Sequence, residues 1–398
     1  MKRLIFSGLF LICAILAWCQ EMSVAERNAA QGFNDTIDRL APDFVLVSLC
    51  IADPTDWHDD ALGLAGHAFL RLQCPIFGLD HCFSYEGERV NDNLYRYLSG
   101  QTKMGMFRAQ TNDYLEDFRK WNRSVHEYRL NMPPEAEQRL WEIMDNHTTN
   151  RIALRHDLNK YGCAITIVKF VKQALERTPI VYAPDEEMEY MTRREIGYRS
   201  LANHPWLRLI SMIFTDNKAD KNLPIDEKLI IPADLAEVWQ QATINGKPFA
   251  TYVGDVVEGA PLNNNKPWFT PMIVAWLILL VTIGFACTRY PYWDWFLLGG
   301  QAIFGCVLIF LWFIMREFGE AAYILMIVFN PLPLLLWHWR RYWALPYAVL
   351  LLISIIVLFC LPHMLMDPAY LVLALSYVVL FAKDEVKRFI ASRMTTHQ

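Results

Sequence analysis

From Pro267 onward the chain is a series of long apolar runs broken by short polar turns, and apart from its first twenty residues nothing before that point is. The runs cover 268–287, 295–315, 321–337, 342–361 and 369–382. Each lies near the ~20 residues that a helix needs to cross a bilayer, the third and last being short. Backbone placed in hydrocarbon must satisfy its own hydrogen bonds, so an all-α domain of five transmembrane helices is expected here. Gly259-Ala260-Pro261-Leu262-Asn263-Asn264-Asn265-Lys266-Pro267 is the linker that separates it from the preceding sequence. Overall composition hides this asymmetry. A chain of 398 residues that is 54% hydrophobic, with mean hydropathy +0.15, averages an aromatic-rich globular part with a membrane part. The net charge of -5, with no basic stripe, sets nucleic acid aside as a partner.

The first twenty residues have the form of a secretory signal: Lys2-Arg3, an apolar stretch over 4–18, then Ala17-Trp18-Cys19-Gln20, whose small residues suit cleavage before Gln20. Trp18 beside Cys19 does not fit a lipoprotein cleavage box. An uncleaved anchor helix is the other reading, and both export the residues that follow. With that domain outside, the membrane-proximal ends on the cytoplasmic side carry Arg289, Arg340, Arg341, Lys383, Lys387, Arg388 and Arg393, against Lys266 and Arg316 outside. The excess agrees with the positive-inside rule. The expected layout is a signal peptide at 1–19, an exported domain at 20–260, a linker at 261–267, a five-span membrane domain at 268–383 and a cytoplasmic tail at 384–398. Export makes Cys50, Cys74, Cys82 and Cys163 informative. Cys74 and Cys82 flank a turn-like Pro75–Asp80 stretch, where a hairpin-closing disulfide is expected, and Cys50 is then the partner that competes for Cys163.

Within the exported part, strands are expected over 43–50, 66–72, 81–85 and 124–130 by apolar runs or period-two alternation. Helices are expected from Pro133-Pro134-Glu135 to about Asp145, from Cys163 through Leu175, and over 231–241. Short helical or loop pieces are expected over 95–103 and 112–120, and an acidic loop over 182–190. The loop Asp53–Asp60 holds His58 among aspartates, a weak metal signal for which a solvated loop is the simpler account.

Two stretches carry chemistry. His156-Asp157-Leu158-Asn159-Lys160-Tyr161-Gly162-Cys163 is polar and turn-forming, and a helical pattern starts on its cysteine, with Ala164, Val168, Val171 and Leu175 on one side. A thiol in a first helical turn lies beside unpaired backbone N–H groups and the positive end of the helix dipole, which favour the thiolate. A small buried residue, or half of a disulfide, is the plainer reading of the same position. In Gly66-His67-Ala68-Phe69-Leu70-Arg71-Leu72, period two sets Ala68, Leu70 and Leu72 on one face and His67, Phe69 and Arg71 on the other. The adjacent strand offers His81, Ser84, Tyr85 and Glu86 to orient the imidazole. Together His67 and Cys163 form the base and nucleophile of thiol acyl-transfer chemistry, with helix-start N–H groups to stabilise an oxyanion. The chain has no His-Glu-x-x-His, phosphate-binding or dinucleotide glycine motif, and no Gly-x-Ser-x-Gly elbow, so no cofactor or metal is expected.

The order of Gly66-His67-Ala68-Phe69-Leu70-Arg71, Asn131-Met132-Pro133-Pro134-Glu135 and the Cys163 stretch, with Asn330-Pro331-Leu332 in a multi-span region, resembles the Lnb-type lipoprotein N-acyltransferases. The resemblance implies an α+β, circularly permuted papain-like fold related to lecithin:retinol acyltransferase, placed in the periplasm and tethered to the inner membrane. It implies Cys163 and His67 as the catalytic pair. The implied reaction moves an acyl chain from a membrane phospholipid, through a Cys163 thioester, to the free amino group of diacylglyceryl-cysteine on a lipoprotein. Phospholipid, diacylated lipoproteins and the membrane are then the partners. Where the family usually has Asn-Cys-Thr-Thr, this chain has Gly162-Cys163-Ala164-Ile165. Two other classes fit the residues: a membrane-anchored papain-like hydrolase acting on cell-wall peptides, and a non-catalytic membrane scaffold in which Cys163 is bonded to Cys50.

Overall fold

Strand pairing runs outward from His67–Cys74, which becomes the middle strand of a seven-stranded antiparallel sheet. The structure is a computed structural model; it describes residues 45–55, 63–87, 95, 96, 99, 101–155, 162–211, 213, 215, 217–260, 267–286, 291–315, 320–360 and 367–396. The signal region, the residues 56–62 of the acidic loop, the turn 156–161 and the linker residues 261–266 lie outside these. By their internal contacts the residues divide into two units, one of 1–200 with 222–264 and one of 201–221 with 265–398.

The first unit is α+β. Its strands are β1 (Leu46–Ala52), β2 (His67–Cys74), β3 (Leu79–Gly87), β4 (Lys103–Gln110), β5 (Val125–Leu130), the two-residue β6 (Leu154–Arg155) and, after a small hairpin of β7 (Thr243–Ile244) and β8 (Lys247–Pro248), β9 (Ala250–Val257). The sheet order is β6-β4-β3-β2-β1-β5-β9. Its helices are α1 (Thr111–Lys120), α2 (Pro134–Thr149), α3 (Cys163–Leu175), α4 (Glu186–Tyr190), α5 (Arg193–Ser200), α7 (Ile225–Lys228) and α8 (Pro232–Gln241), while α6 (Pro205–Ser211) belongs to the second unit.

Period two sorts the sheet into two cores. Leu49, Ala68, Leu70, Leu72, Phe83 and Tyr85 meet Leu140 and Trp141 of α2, Val168 and Val171 of α3, and Leu235 and Trp239 of α8. The fully buried Trp141 stands edge-on to Phe83, ring centroids 5.7 Å apart. The opposite face carries Cys50, Phe69 and Cys82 under Tyr114, Leu115 and Phe118 of α1. The alternation read from β2 therefore holds.

Among the described residues no disulfide forms, and register explains why for the sheet cysteines. Cys74 pairs across the hairpin with Leu79, and Cys82 with Arg71, so the two cysteines sit on opposite faces and the expected hairpin disulfide does not form. Cys50 lies under α1 while Cys163 packs against the other core, and both thiols are free. Besides the two-residue β6, β7 and β8, two longer strands have no counterpart in the expected pattern. β4 fills the gap between the two expected helical or loop pieces at 95–103 and 112–120, and β9 fills a stretch for which no element is expected.

In the second unit each of the five apolar runs is helical: α9 (Pro271–Ala286), α10 (Pro291–Ile314), α11 (Glu320–Val328) with α12 (Leu332–Leu335), α13 (Arg340–Cys360) and α14 (Ala369–Thr396). Two helical stretches, Tyr292–Ile314 and Trp337–Cys360, are long and apolar enough to cross a membrane. The third run is broken at Asn330-Pro331, because proline removes a ladder donor. The carbonyls it releases are taken up. Tyr347 OH donates to Ile327 O at 2.7 Å, and the fully buried Gln301 donates to Val328 O at 2.7 Å. Gly305 permits the close approach, since a Cβ there would lie 2.5 Å from Asn330 Cα. Segment 201–221 joins this unit through α6: Arg208 pairs with the buried Asp367 at 3.2 Å, and Tyr370 OH donates to Leu209 O.

Candidate active site

β2 pairs with β1 as far as Ala52↔His67, but its pairing with β3 stops at Leu70↔Phe83. β3 meanwhile stays paired to β4 down to Gly87↔Met104. The middle of the sheet therefore parts at the end where β2 begins, beside the start of α3. Gly66 makes the entry to β2 possible. Its φ is +88°, and a Cβ would lie 2.9 Å from Ala52 O, so only glycine turns the chain here without strain.

Cys163 is the first residue of α3, half-buried, and Gly162 precedes it as an N-cap with no side-chain hydrogen bond. First-turn N–H groups are thus left unclaimed by a capping side chain. Burial pushes the Cys163 thiol up; backbone hydrogen bonds from Ala68, Ala164 and Cys163 itself, and the guanidinium of Arg123, pull in the opposite direction. The hydrogen bond from Ala68 ties the sulfur to the residue next to His67. The first turn of the helix and the first turn of the strand meet at the thiol.

The His67 ring is half-buried on the α1 side of the sheet, 6.2 Å from the Phe69 ring. Its Nε2 is 2.8 Å from Ser84 Oγ and 3.4 Å from Tyr114 OH. Tyr114 in turn donates to Glu86 Oε1 at 2.6 Å. Because the tyrosine proton goes to Glu86, its oxygen can only accept from Nε2, and with Ser84 Oγ able to accept as well this favours the tautomer with the proton on Nε2. Nδ1 then carries the lone pair, and among the described residues no hydrogen bond engages it. Burial, with Arg123 adding repulsion, lowers the His67 pKa to about 3, so the ring is neutral across the physiological range. The structure brings the Cys163 thiol to the backbone beside His67; no hydrogen bond joins the thiol to the ring.

Of the four residues that the sequence offers to orient His67, Ser84 contacts the ring directly and Glu86 acts through Tyr114. His81 and Tyr85 do not contact it through any described hydrogen bond. Tyr114 and Arg123 were not legible. Tyr114 reads as one more aromatic of an amphipathic stripe with Phe118, and it does serve that core. Arg123 is a lone basic residue in the turn after α1, buried over the Phe118 ring at 5.4 Å and bonded through Nε to Asp53 O. Gly259, two residues past the end of β9, packs against that turn, where a Cβ would lie 2.4 Å from Ser124 N.

A second polar group lies beyond β1. His126 of β5 is held between Asp255 Oδ1 at 2.6 Å and Asp53 Oδ1 at 3.1 Å, with Tyr252 OH donating to the same Asp255 oxygen. The carboxylates raise its pKa against the opposing effect of burial. Among the described residues no group of three His, Cys, Asp or Glu is arranged to hold a metal ion.

Compared with protein-family models, with curated proteins and with solved structures, the chain has no match.

Proposed function

We propose that the chain is a membrane-embedded lipoprotein N-acyltransferase in which Cys163 is the nucleophile and His67 the base. The observation that carries this reading is the meeting of an uncapped helix start bearing a free thiol with a strand start bearing a neutral, oriented imidazole. The resting pair is neutral thiol and neutral imidazole, so the chemistry is general-base catalysis. His67 Nδ1 accepts the thiol proton as sulfur attacks the ester carbonyl of a phospholipid. First-turn N–H groups of α3 receive the developing oxyanion. The lysophospholipid alkoxide leaves with that proton, and the acyl chain remains on Cys163 as a thioester. The acceptor amine, with an ordinary pKa of about 8, then attacks as the free base; His67 takes its proton, and the thiolate leaves and is reprotonated. Both substrates are lipids, which accounts for a catalytic unit joined to apolar helices, read here as five spans of an inner membrane with the first unit in the periplasm.

The test is mass spectrometry of lipoproteins from cells in which this protein is the sole candidate acyltransferase. Wild type gives N-acylated lipoproteins, and Cys163→Ala gives the diacyl form while remaining folded and membrane-bound. Diacyl lipoproteins with wild type reject the assignment; altered cell-wall fragments in their place support a hydrolase.

A further inference from the structure

The first turn of α13 and the middle of α14 enclose a cavity of about 380 Å³ at one end of the second unit. Arg340, Arg341 and Arg388 line it together with Asp384 and Glu385. Arg340 pairs with Asp384 at 3.3 Å, and Arg388 pairs with Glu385. Three guanidiniums against two carboxylates leave one positive charge, and Arg341 is the guanidinium with no carboxylate partner among the described residues. Arg341 instead lies over the Tyr342 ring at 4.5 Å, as Arg340 lies over Trp337 at 4.5 Å. Arg341 Nη2 also donates to Tyr342 OH, and the remaining N–H groups of this anchored guanidinium can meet the oxygens of a phosphate.

The rest of the wall is apolar, formed by Leu345 and Phe381 among others. From Leu345 an exposed stripe continues along α13 through Val349, Leu352, Ile356 and Phe359. These positions repeat at helical spacing on one side of the helix. The 15 residues from Leu345 to Phe359 span about 21 Å at a rise of about 1.5 Å per step, more than half of the ~30 Å hydrocarbon core. A charged socket that opens onto such a stripe fits a molecule with a phosphate head and a hydrocarbon tail.

We infer that this cavity binds the headgroup phosphate of an anionic glycerophospholipid, with an acyl chain along the Leu345–Phe359 stripe. The inference rests on the membrane reading of the second unit and is separate from the Cys163 chemistry. The excess positive charge selects an anionic head over a zwitterionic one.

The experiment uses the full chain reconstituted in phosphatidylcholine nanodiscs with a rising fraction of phosphatidylglycerol or phosphatidylethanolamine, and native mass spectrometry counts the lipid retained on release. Selective retention of phosphatidylglycerol is expected. Arg341→Gln weakens it about fivefold, the effect of one interfacial arginine, and Arg341→Lys weakens it less. Lys387→Gln, on α14 beside Arg388 but outside the cavity, leaves it unchanged. Equal retention of the three lipids, or an effect of Lys387→Gln as large as that of Arg341→Gln, overturns the inference. So does displacement of the lipid by inorganic phosphate at equal concentration, which marks a soluble-phosphate site. Flotation with phosphatidylcholine vesicles separates the two levels: a chain that fails to float refutes the membrane reading, whereas one that floats without selecting phosphatidylglycerol refutes only the cavity.

Discussion

At the scale of single residues the candidate site differs from a preformed thiolate–imidazolium pair, and the difference is measurable. Burial holds Cys163 protonated, and burial with Arg123 holds His67 neutral. Alkylation of Cys163 by iodoacetamide, followed by peptide mass mapping of the intact chain, is therefore expected to accelerate about tenfold per pH unit from pH 6 to 9, because only the thiolate reacts. A rate independent of pH over that range would reveal a stable ion pair and refute the neutral resting state. The orienting chain from Glu86 through Tyr114 to His67 makes a second claim. Tyr114→Phe keeps the ring packing against Phe69 and Phe118 but removes an acceptor from Nε2. The loss of one such hydrogen bond, about 1–1.5 kcal/mol, predicts a rate of acyl transfer lowered about tenfold. Thermal stability should change little, and the effect should be smaller than that of Ser84→Ala, whose oxygen lies closer.

Among elements, the His126 clamp ties the exit of β1 to β5 and β9, so its protonation bears on how the sheet edge holds together. Its pKa is raised in the folded state above the unfolded ~6.5, and the stability it contributes is fully present below that value and lost as pH rises through the raised one. His67 has the opposite sign. From about 6.5 down towards 3 the unfolded chain takes up a proton that the folded ring refuses, so stability falls with falling pH. Guanidinium unfolding of the full chain, followed by the near-ultraviolet signal of its buried tryptophans, should show His126→Gln costing more at pH 6 than at pH 9. For His67→Gln the variant should gain on wild type as pH drops from 6.5 to 5. Elements such as β1, β2, β5, α2, α3 and α8 were legible because each follows one period and starts on a clear signal. β4 was not, because Met104, Met106 and Arg108 share its core face, and a charge at a core position breaks the pattern. Only the fold supplies what settles that charge, the Asp145 carboxylate at 3.2 Å and the Phe83 ring beneath it. β9 has buried side chains only at its two ends and owes its conformation to pairing with β5. The site divides in the same way. Cys163, His67 and Ser84 sit on periodic elements, whereas Arg123 acquires its role from a turn that Gly259 holds in place.

For the whole molecule, on the membrane reading proposed above, the parity of the number of crossings decides where the C-terminus lies. The helical stretches Tyr292–Ile314 and Trp337–Cys360 are long and apolar enough to cross a bilayer. α9 has 16 residues, about 24 Å at 1.5 Å per residue, short of the ~30 Å core. The third run is divided by Asn330-Pro331. α14 is long enough, but its apolar part ends near Ala382 and charged residues follow to Thr396. Two features favour five crossings over two. The break in the third run is satisfied inside the unit by Gln301 and Tyr347, as irregular backbone at membrane depth requires. The positive charges of Arg289, Arg340, Arg341 and the 383–393 stretch fall on one side only if all five runs cross. Short spans are accommodated by local bilayer thinning at a fraction of a kcal/mol per Å. Five crossings place the two ends of the membrane region on opposite sides, and two or four place them on the same side. With the first unit exported, a fluorescent protein fused after Gln398 should fluoresce, and alkaline phosphatase fused there should be inactive. Phosphatase inserted in the 261–266 linker should be active. Active phosphatase at both sites would mean an even number of crossings, which moves Lys383, Lys387, Arg388 and Arg393 to the outer face and removes much of the charge asymmetry that orients the chain.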